Sequence, residues 1–310
     1  MSGIGTQSLN LMPPPPAAAA PVALSSRPRR QRKLLLVHIL LIVICAGAIA
    51  PFLWMLATSV KTLDNAMLFP PQVIPKPFVP ENYLEVLQNK KFNFLMWARN
   101  TLIVATLVVT GMTISSATVA YGFARLRFPG RGFLFAVLLS TMMIPFPVTM
   151  VSLFSEFRWL GDHTGMAWLG TFKPLWVPAC FGQAFSIFLL RQFFLTIPTE
   201  LSDAARIDGC GELGIFFRIM LPLSKPALVV VALFAFLGVW NDFLGPLVFL
   251  LRSEQFTLGL GLQTYQSQHG GTPWHLLMAA SVLVIAPVIV LFFVAQKAFV
   301  QGISTTGMKG

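Results

Sequence analysis

Charge is what this chain has least of. Only 11% of its 310 residues are Asp, Glu, Lys or Arg, against about 25% in a soluble domain, while 55% are hydrophobic and the mean hydropathy is +0.74. A charged side chain at the centre of a membrane helix costs about 2.5–3.5 kcal/mol, so depletion on this scale marks a chain whose main solvent is lipid. A soluble enzyme is thereby excluded. Cysteine is also scarce: Cys45, Cys180 and Cys210 have neither a disulfide framework nor a metal-ligand spacing. The four histidines, His38, His163, His269 and His275, are far apart, and no metal site is expected. No Gly-x-x-x-x-Gly-Lys-Ser/Thr run occurs, so no ATP is expected in a P-loop of this chain, nor any cofactor of its own. Acids are outnumbered, 11 against 22 Lys and Arg. Nucleic-acid binding would need the basic residues clustered on one folded surface, whereas here they fall between apolar runs.

What is present is apolar length. Stretches at about 34–60, 98–122, 133–155, 174–195, 226–250 and 274–296 each reach the roughly 20 residues that cross a bilayer. The first contains an Ala46-Gly47-Ala48-Ile49-Ala50 pattern suggestive of signal cleavage, yet it runs on through Pro51 to Val60, beyond the about 7–15 residues of a signal core. It is read as an uncleaved span. Residues 1–33 are Pro/Ala-rich and then basic, from Arg27 to Lys33, and are expected to be a disordered tail. Six spans place both termini on one side. The larger share of the 22 basic residues, including Arg27, Arg125, Arg127, Arg131, Arg191, Arg206 and Arg218, falls on that side, which the positive-inside rule makes cytoplasmic. The external loop 61–97 is rich in proline and is expected to carry a short helix from Glu81 to Leu87.

Between the fourth and fifth stretches lies a polar segment with helix punctuation. Pro198 and Thr199 can open a helix, Glu200 and Asp203 suit the positive end of its dipole, and Gly209 supplies a left-handed stop. Leu201, Ala204 and Ala205 make an apolar face whose small residues permit close approach. A second short helix carries Leu213, Phe216, Phe217 and Met220, with Pro222 and Pro226 expected to end it.

The order Asp203-Ala204-Ala205, Asp208-Gly209, then Ile219-Met220-Leu221-Pro222 resembles the cytoplasmic signature loop of bacterial ABC importer permeases, with Asp203 in place of the usual Glu and Cys210 in place of Ala. The similarity is widest for the carbohydrate-uptake branch, the second membrane subunit of maltose-type transporters. It extends from about residue 34 to the C-terminus and includes Asn100-Thr101, Trp240-Asn241-Asp242-Phe243 and the tail Phe299 to Gly310.

The resemblance implies an all-α membrane protein of six transmembrane helices: a permease domain over 34–310 with a coupling-helix loop, in the bacterial cytoplasmic (inner) membrane. It implies a division of labour among an external solute-binding protein, two related permease subunits, and two cytoplasmic ATPase subunits that hold ATP and Mg. Glu200, Asp203, Ala204, Ala205, Asp208, Gly209 and Pro222 would form the ATPase-coupling element. Trp240, Asn241 and Asp242 would line a solute pathway, because sugar hydroxyls need hydrogen-bonding partners and sugar rings stack on aromatics. Asp242 is the acid well inside a span, and such residues are functional candidates by default; it can equally hold helix geometry. Gln266, Gln268, His269 and Gly270 in the last external loop would contact the binding protein. The expected cargo is a sugar or oligosaccharide, with a glycerol-phosphate-like polyol as alternative. An ion-coupled secondary transporter would show several mid-membrane ionisable residues, and a membrane enzyme a polar cluster near one interface. Neither pattern is present.

Overall fold

A computed structural model describes residues 27–89, 92–266 and 271–307, with side chains over 34–89, 92–266 and 271–296. The described residues are helical, with no strand, as lipid requires of a chain that must satisfy its own backbone. The chain divides into two compact units within its first helix, residues 1–52 and 53–310.

In the first unit α1 (Arg27–Ser59) begins, so the helix opens inside the segment expected to be a disordered tail. The expected disorder of residues 1–26 lies outside the described residues. The second unit carries the remaining elements: α2 (Leu63–Met67), α3 (Glu81–Gln88), α4 (Phe94–Arg125), α5 (Arg131–Ser140), α6 (Phe146–Thr164), α7 (Lys173–Trp176) and α8 (Ala184–Thr196). After these come α9 (Thr199–Ile207), α10 (Glu212–Ile215), α11 (Leu221–Leu223), α12 (Lys225–Trp240), α13 (Leu244–Phe249), α14 (Leu258–Gln263) and α15 (Trp274–Gly307). Among the described residues four helical segments, Leu34–Ser59, Phe94–Arg125, Lys173–Thr196 and Trp274–Gln296, are long and apolar enough to cross a membrane, and up to six if each of two bent pairs is one span.

Three of the expected continuous spans are interrupted. The stretch 133–155 bends by 100° between α5 and α6, because Ile144 (φ −91, ψ 111) precedes Pro145 and is driven out of the helical region. The stretch 174–195 breaks at Gly182, whose φ of +86 suits glycine, and whose neighbour Gln183 donates its amide to Ser116 Oγ at 3.3 Å. The stretch 226–250 opens at residues 241–243, between α12 and α13.

Long helices α4, α8, α12 and α15 build the body, with α4 packed on α8 and α12 and α12 on α15. Ala117, Ala120 and Ala124 put small side chains on one face of α4, so α8 approaches closely through Ile187, Leu190 and Phe194. A second core, at the other end of α4, gathers Trp97, Trp240, Leu258, Tyr265, Ala279 and Ala280. Two polar clamps flank that core. Asn82 Nδ2 donates to the carbonyls of Ser59 and Lys61 at 2.8 Å each, and buried Lys61 donates Nζ to the Gln72 carbonyl beneath the Trp54 ring. Burial holds the Lys61 ammonium below the ordinary lysine range. On α4, Trp97 Nε1 donates to the Ser253 carbonyl at 3.1 Å, and Asn100 Nδ2 to those of Glu254 and Phe256 at 2.8 and 3.0 Å. The Thr101 hydroxyl oxygen accepts the Leu258 amide at 2.8 Å. The Asn100-Thr101 pair in the second turn of α4, with Trp97 a turn before it, therefore anchors the chain between α13 and α14.

Candidate functional site

The polar segment after α8 folds as two helices around a glycine. Pro198 is the N-cap of α9 and Glu200 sits in its first turn. At the other end the chain closes a Schellman turn: Gly209 N–H donates to the Arg206 carbonyl at 3.0 Å and Cys210 N–H to that of Ala205 at 2.8 Å. Asp208 is the C-cap, and Gly209 holds φ +80.

The second helix runs through Pro222 and ends at Ser224, between the two prolines expected to end it. From α10 it widens into a π-helical turn over Phe216–Met220 and continues through α11, which contains Pro222. A proline ring crowds the carbonyl four residues back, and a widened turn directly before it relieves that crowding. The chain turns at Ser224 (φ −97, ψ 10), with a bend of 79° before α12, and Pro226 falls in the first turn of α12.

The faces of α9 also separate differently from the apolar pattern alone. Leu201 and Ile207 are exposed, at 44% and 87%, with Ala204 and Asp208 exposed beside them. Ala205 turns inward, packed on the core of Tyr121, Phe194 and Phe216. The face towards α4 is polar and lines a cavity of about 500 Å³ with Arg125 and Arg127.

Across that face runs a clasp. Arg206 Nη1 donates to Asp203 Oδ1 at 2.7 Å and its Nε to Glu212 Oε1 at 2.9 Å. The Tyr121 hydroxyl donates to Glu212 Oε2 at 2.6 Å. Hydrogen bonding to Glu212 raises Arg206 above the ordinary arginine range. One turn beyond Tyr121, Arg125 Nη2 donates to the carbonyls of Phe194, in the last turn of α8, and of Ile197, its C-cap. Helices α4, α8, α9 and α10 are thus tied at one corner. Tyr121, Arg125, Arg206 and Glu212 were not singled out by sequence as a site. The available signal was spacing, Tyr121 to Arg125 at i, i+4 and Asp203 to Arg206 at i, i+3.

This helix pair lies within residues 116–305, which match the model of the family described as binding-protein-dependent transport system inner membrane component. The chain belongs to that family. Among its relatives, the arabinooligosaccharides transport system permease protein AraQ of Halalkalibacterium halodurans is 34% identical over 85% of this chain and 92% of its own length. The trehalose/maltose transport system permease protein MalG of Thermococcus litoralis is 32% identical over 86% and 93%. A chain of a bacterial ABC transporter involved in the import of the acidic polysaccharide alginate shares the fold, with a TM-score of 0.77 at 23% identity, over 89% of this chain and 99% of that one.

In this inner membrane component the other candidate groups lie apart from α9. Trp240 is buried, its ring stacked on Phe236 and its Nε1 donating to the Val284 carbonyl of α15 at 3.0 Å. Asp242, just before the α13 N-cap Phe243, accepts the Gly245 amide on Oδ1 at 3.1 Å and so satisfies one of the first-turn donors of α13. Asn241 is exposed, its Nδ2 donating back to Leu237 at 2.8 Å. Gln266 is exposed and accepts from Gln263 at 3.1 Å, whereas Gln268, His269 and Gly270 lie outside the described residues.

The clasp predicts how this family member responds to loss of one hydroxyl. Tyr121→Phe removes a bond to a charged acceptor, in the class worth about 1.5–3 kcal/mol, and binding-protein-dependent uptake is expected to fall several-fold at unchanged protein level. Glu212→Gln should act alike, and the double variant should be no worse than the stronger single one. Full additivity would show that the two groups act separately.

Proposed function

We propose that this chain is the transmembrane permease subunit of an importer that carries a sugar or oligosaccharide into the cytoplasm, with α9 as the helix through which partner ATPase subunits drive it. The observation that carries this reading is the division of α9 into two faces. One face offers Leu201, Ala204 and Ile207 to a partner, while the other is locked to α4 and α10 through Arg206 and Glu212. A docked helix held this way moves its spans as a rigid body, and hinge or shear motions of packed helices need such a handle. The cargo class follows the relatives named for arabinooligosaccharides and for trehalose and maltose.

The full assembly in this reading has a second, related permease subunit, two ATPase subunits that hold the ATP and Mg, and an external binding protein that delivers solute. This chain contributes no ATP site. Both termini lie in the cytoplasm, on the side where the basic residues collect. Of the three solute-pathway candidates, Trp240 and Asp242 already serve helix packing and the first turn of a helix. Asn241, exposed at the break between α12 and α13, is the residue of the three placed to meet a sugar hydroxyl. Gln266 with Gln268, His269 and Gly270 supplies the external loop that meets the binding protein.

A gentle-detergent pull-down of the tagged chain, read by mass spectrometry, tests the assembly. An ATPase and a second permease are expected in the bound fraction. Recovery of the chain alone, still moving solute in vesicles without ATP, would mean a different energy source and remove the reading.

A further inference from the structure

The cavity between α4 and α9 holds positive charge that its own carboxylates do not absorb. Three guanidinium groups line it, Arg125, Arg127 and Arg206, against two carboxylates, Asp203 and Glu212. Arg206 is committed to both acids. Arg127 makes no hydrogen bond or ion pair with any described residue. Arg125 gives Nη2 to two carbonyls but keeps Nε–H buried with no acceptor.

Two further donors converge there. Ser202 lines the cavity at 2% exposure, and its hydroxyl has no partner. A buried hydroxyl left unpaired costs about 1–3 kcal/mol, so an absent acceptor is the simplest account of it. The nine-residue α9 has no side-chain cap at its N-terminus, where Thr199 joins the lining, and free amides at a helix start carry partial positive charge that favours an anion.

We infer that this cavity binds a phosphate oxyanion through the Arg127 guanidinium and the first amides of α9, with the Ser202 hydroxyl and Arg125 Nε, both closed off from the cavity in this structure, turning in to join it. The single net positive charge of the lining matches a monoanionic phosphodiester better than a polyphosphate. A volume of about 500 Å³ also leaves room for a glycerol substituent. Both points favour an acidic phospholipid headgroup over inorganic phosphate. The inference rests on the proposed function only for the placement of α9 on the cytoplasmic side of the membrane.

The test uses the full chain purified with its partner subunits. Native mass spectrometry reads titrations with phosphatidylglycerol and, as a control, phosphatidylcholine, while equilibrium dialysis reads inorganic phosphate. Selective retention of phosphatidylglycerol is expected. Arg127→Gln should weaken it about tenfold, the loss of one charge-assisted hydrogen bond, and Ser202→Ala several-fold, with the complex recovered in normal yield as proof of folding. Saturable binding of inorganic phosphate, weakened by the same variants, supports the site with a soluble source. Equal retention of phosphatidylglycerol by wild type and both variants, or no binding of either phosphate, overturns it. Failure of phosphate binding in an assembled complex leaves the transport reading standing; absence of an ATPase from the preparation removes the transport reading instead.

Discussion

Gly209→Val is expected to abolish ATP-driven uptake while the chain still inserts in the membrane. Nothing lies within 4 Å of a Cβ built at Gly209, so valine meets no neighbour and the whole effect is conformational. At φ +80 an L-residue pays about 1–2 kcal/mol, and a β-branched one more. The chain escapes by rotating to negative φ, which pulls the Cys210 amide from the Ala205 carbonyl and opens the Schellman turn. Once α9 and α10 no longer meet at their fixed angle, Arg206 and Glu212 part, and a push on α9 is absorbed in the turn. Gly209→Asn separates this account from a general intolerance, because asparagine visits the left-handed region readily and should keep most of the uptake. Uptake in vesicles, normalised to membrane-inserted protein, is the measurement. Normal uptake by the valine variant would show that the turn does not carry the coupling.

At the opposite end of α4, Gly261→Ala is expected to cost stability outright. A Cβ there would lie 2.3 Å from Cε3 and 2.4 Å from Cδ2 of Trp97. That ring is 2% exposed, donates to the Ser253 carbonyl and meets Tyr265 edge-on at 6.4 Å, and Tyr265 is itself stacked on Phe92 at 4.0 Å. Retreat of the indole breaks its hydrogen bond and disturbs the stack. Overpacking of a filled core costs about 1–3 kcal/mol, and this site stands at the upper end because the colliding atoms belong to a held ring. The expected result is a lower thermal midpoint in detergent and less folded protein. Trp97→Leu placed on the alanine background should recover part of the loss. An alanine variant that melts with the wild type would mean that α14 and Trp97 are not in close contact.

Hydropathy made the helices legible and hid their interruptions. Lipid demands about 20 apolar residues per crossing, and that length survives any local irregularity, so α1, α4 and α15 begin or end close to the expected stretches. Pro145, Gly182 and residues 241–243 interrupt the other three because averaging over a long window dilutes a local backbone constraint. The short helix at 199–207 was readable because its signals are local: a proline start, an early acid and a glycine stop. Its inward and outward faces were not, since Ala204 and Ala205 are chemically alike and the fold turns Ala205 inward. Residue type leaves the role most open at Trp240 and Asp242. An indole and a carboxylate in a span look like solute ligands, but a buried indole N–H needs an acceptor in any setting, and Val284 of the neighbouring helix supplies it. The Tyr121–Glu212 bond joins residues that only the packing of α4 against α10 brings together, and no local pattern announces it.

The length of α4 sets where that corner can stand. Its 32 residues, at about 1.5 Å each, make a rod of about 48 Å. The hydrocarbon slab is about 30 Å thick, and even at a tilt of about 40° the rod still rises about 37 Å. The excess is a stilt. Arg125 ends the rod and Tyr121 lies one turn inside it, so the groups that grip α9 and the end of α8 stand towards the edge of the slab and away from its centre, where an ion pair and a hydroxyl–carboxylate bond would meet the heaviest desolvation. In the proposed reading a partner pressing on α9 acts at the end of a rigid strut whose other end anchors the segment between α13 and α14 through Trp97 and Asn100, a single helix long enough to cross the membrane.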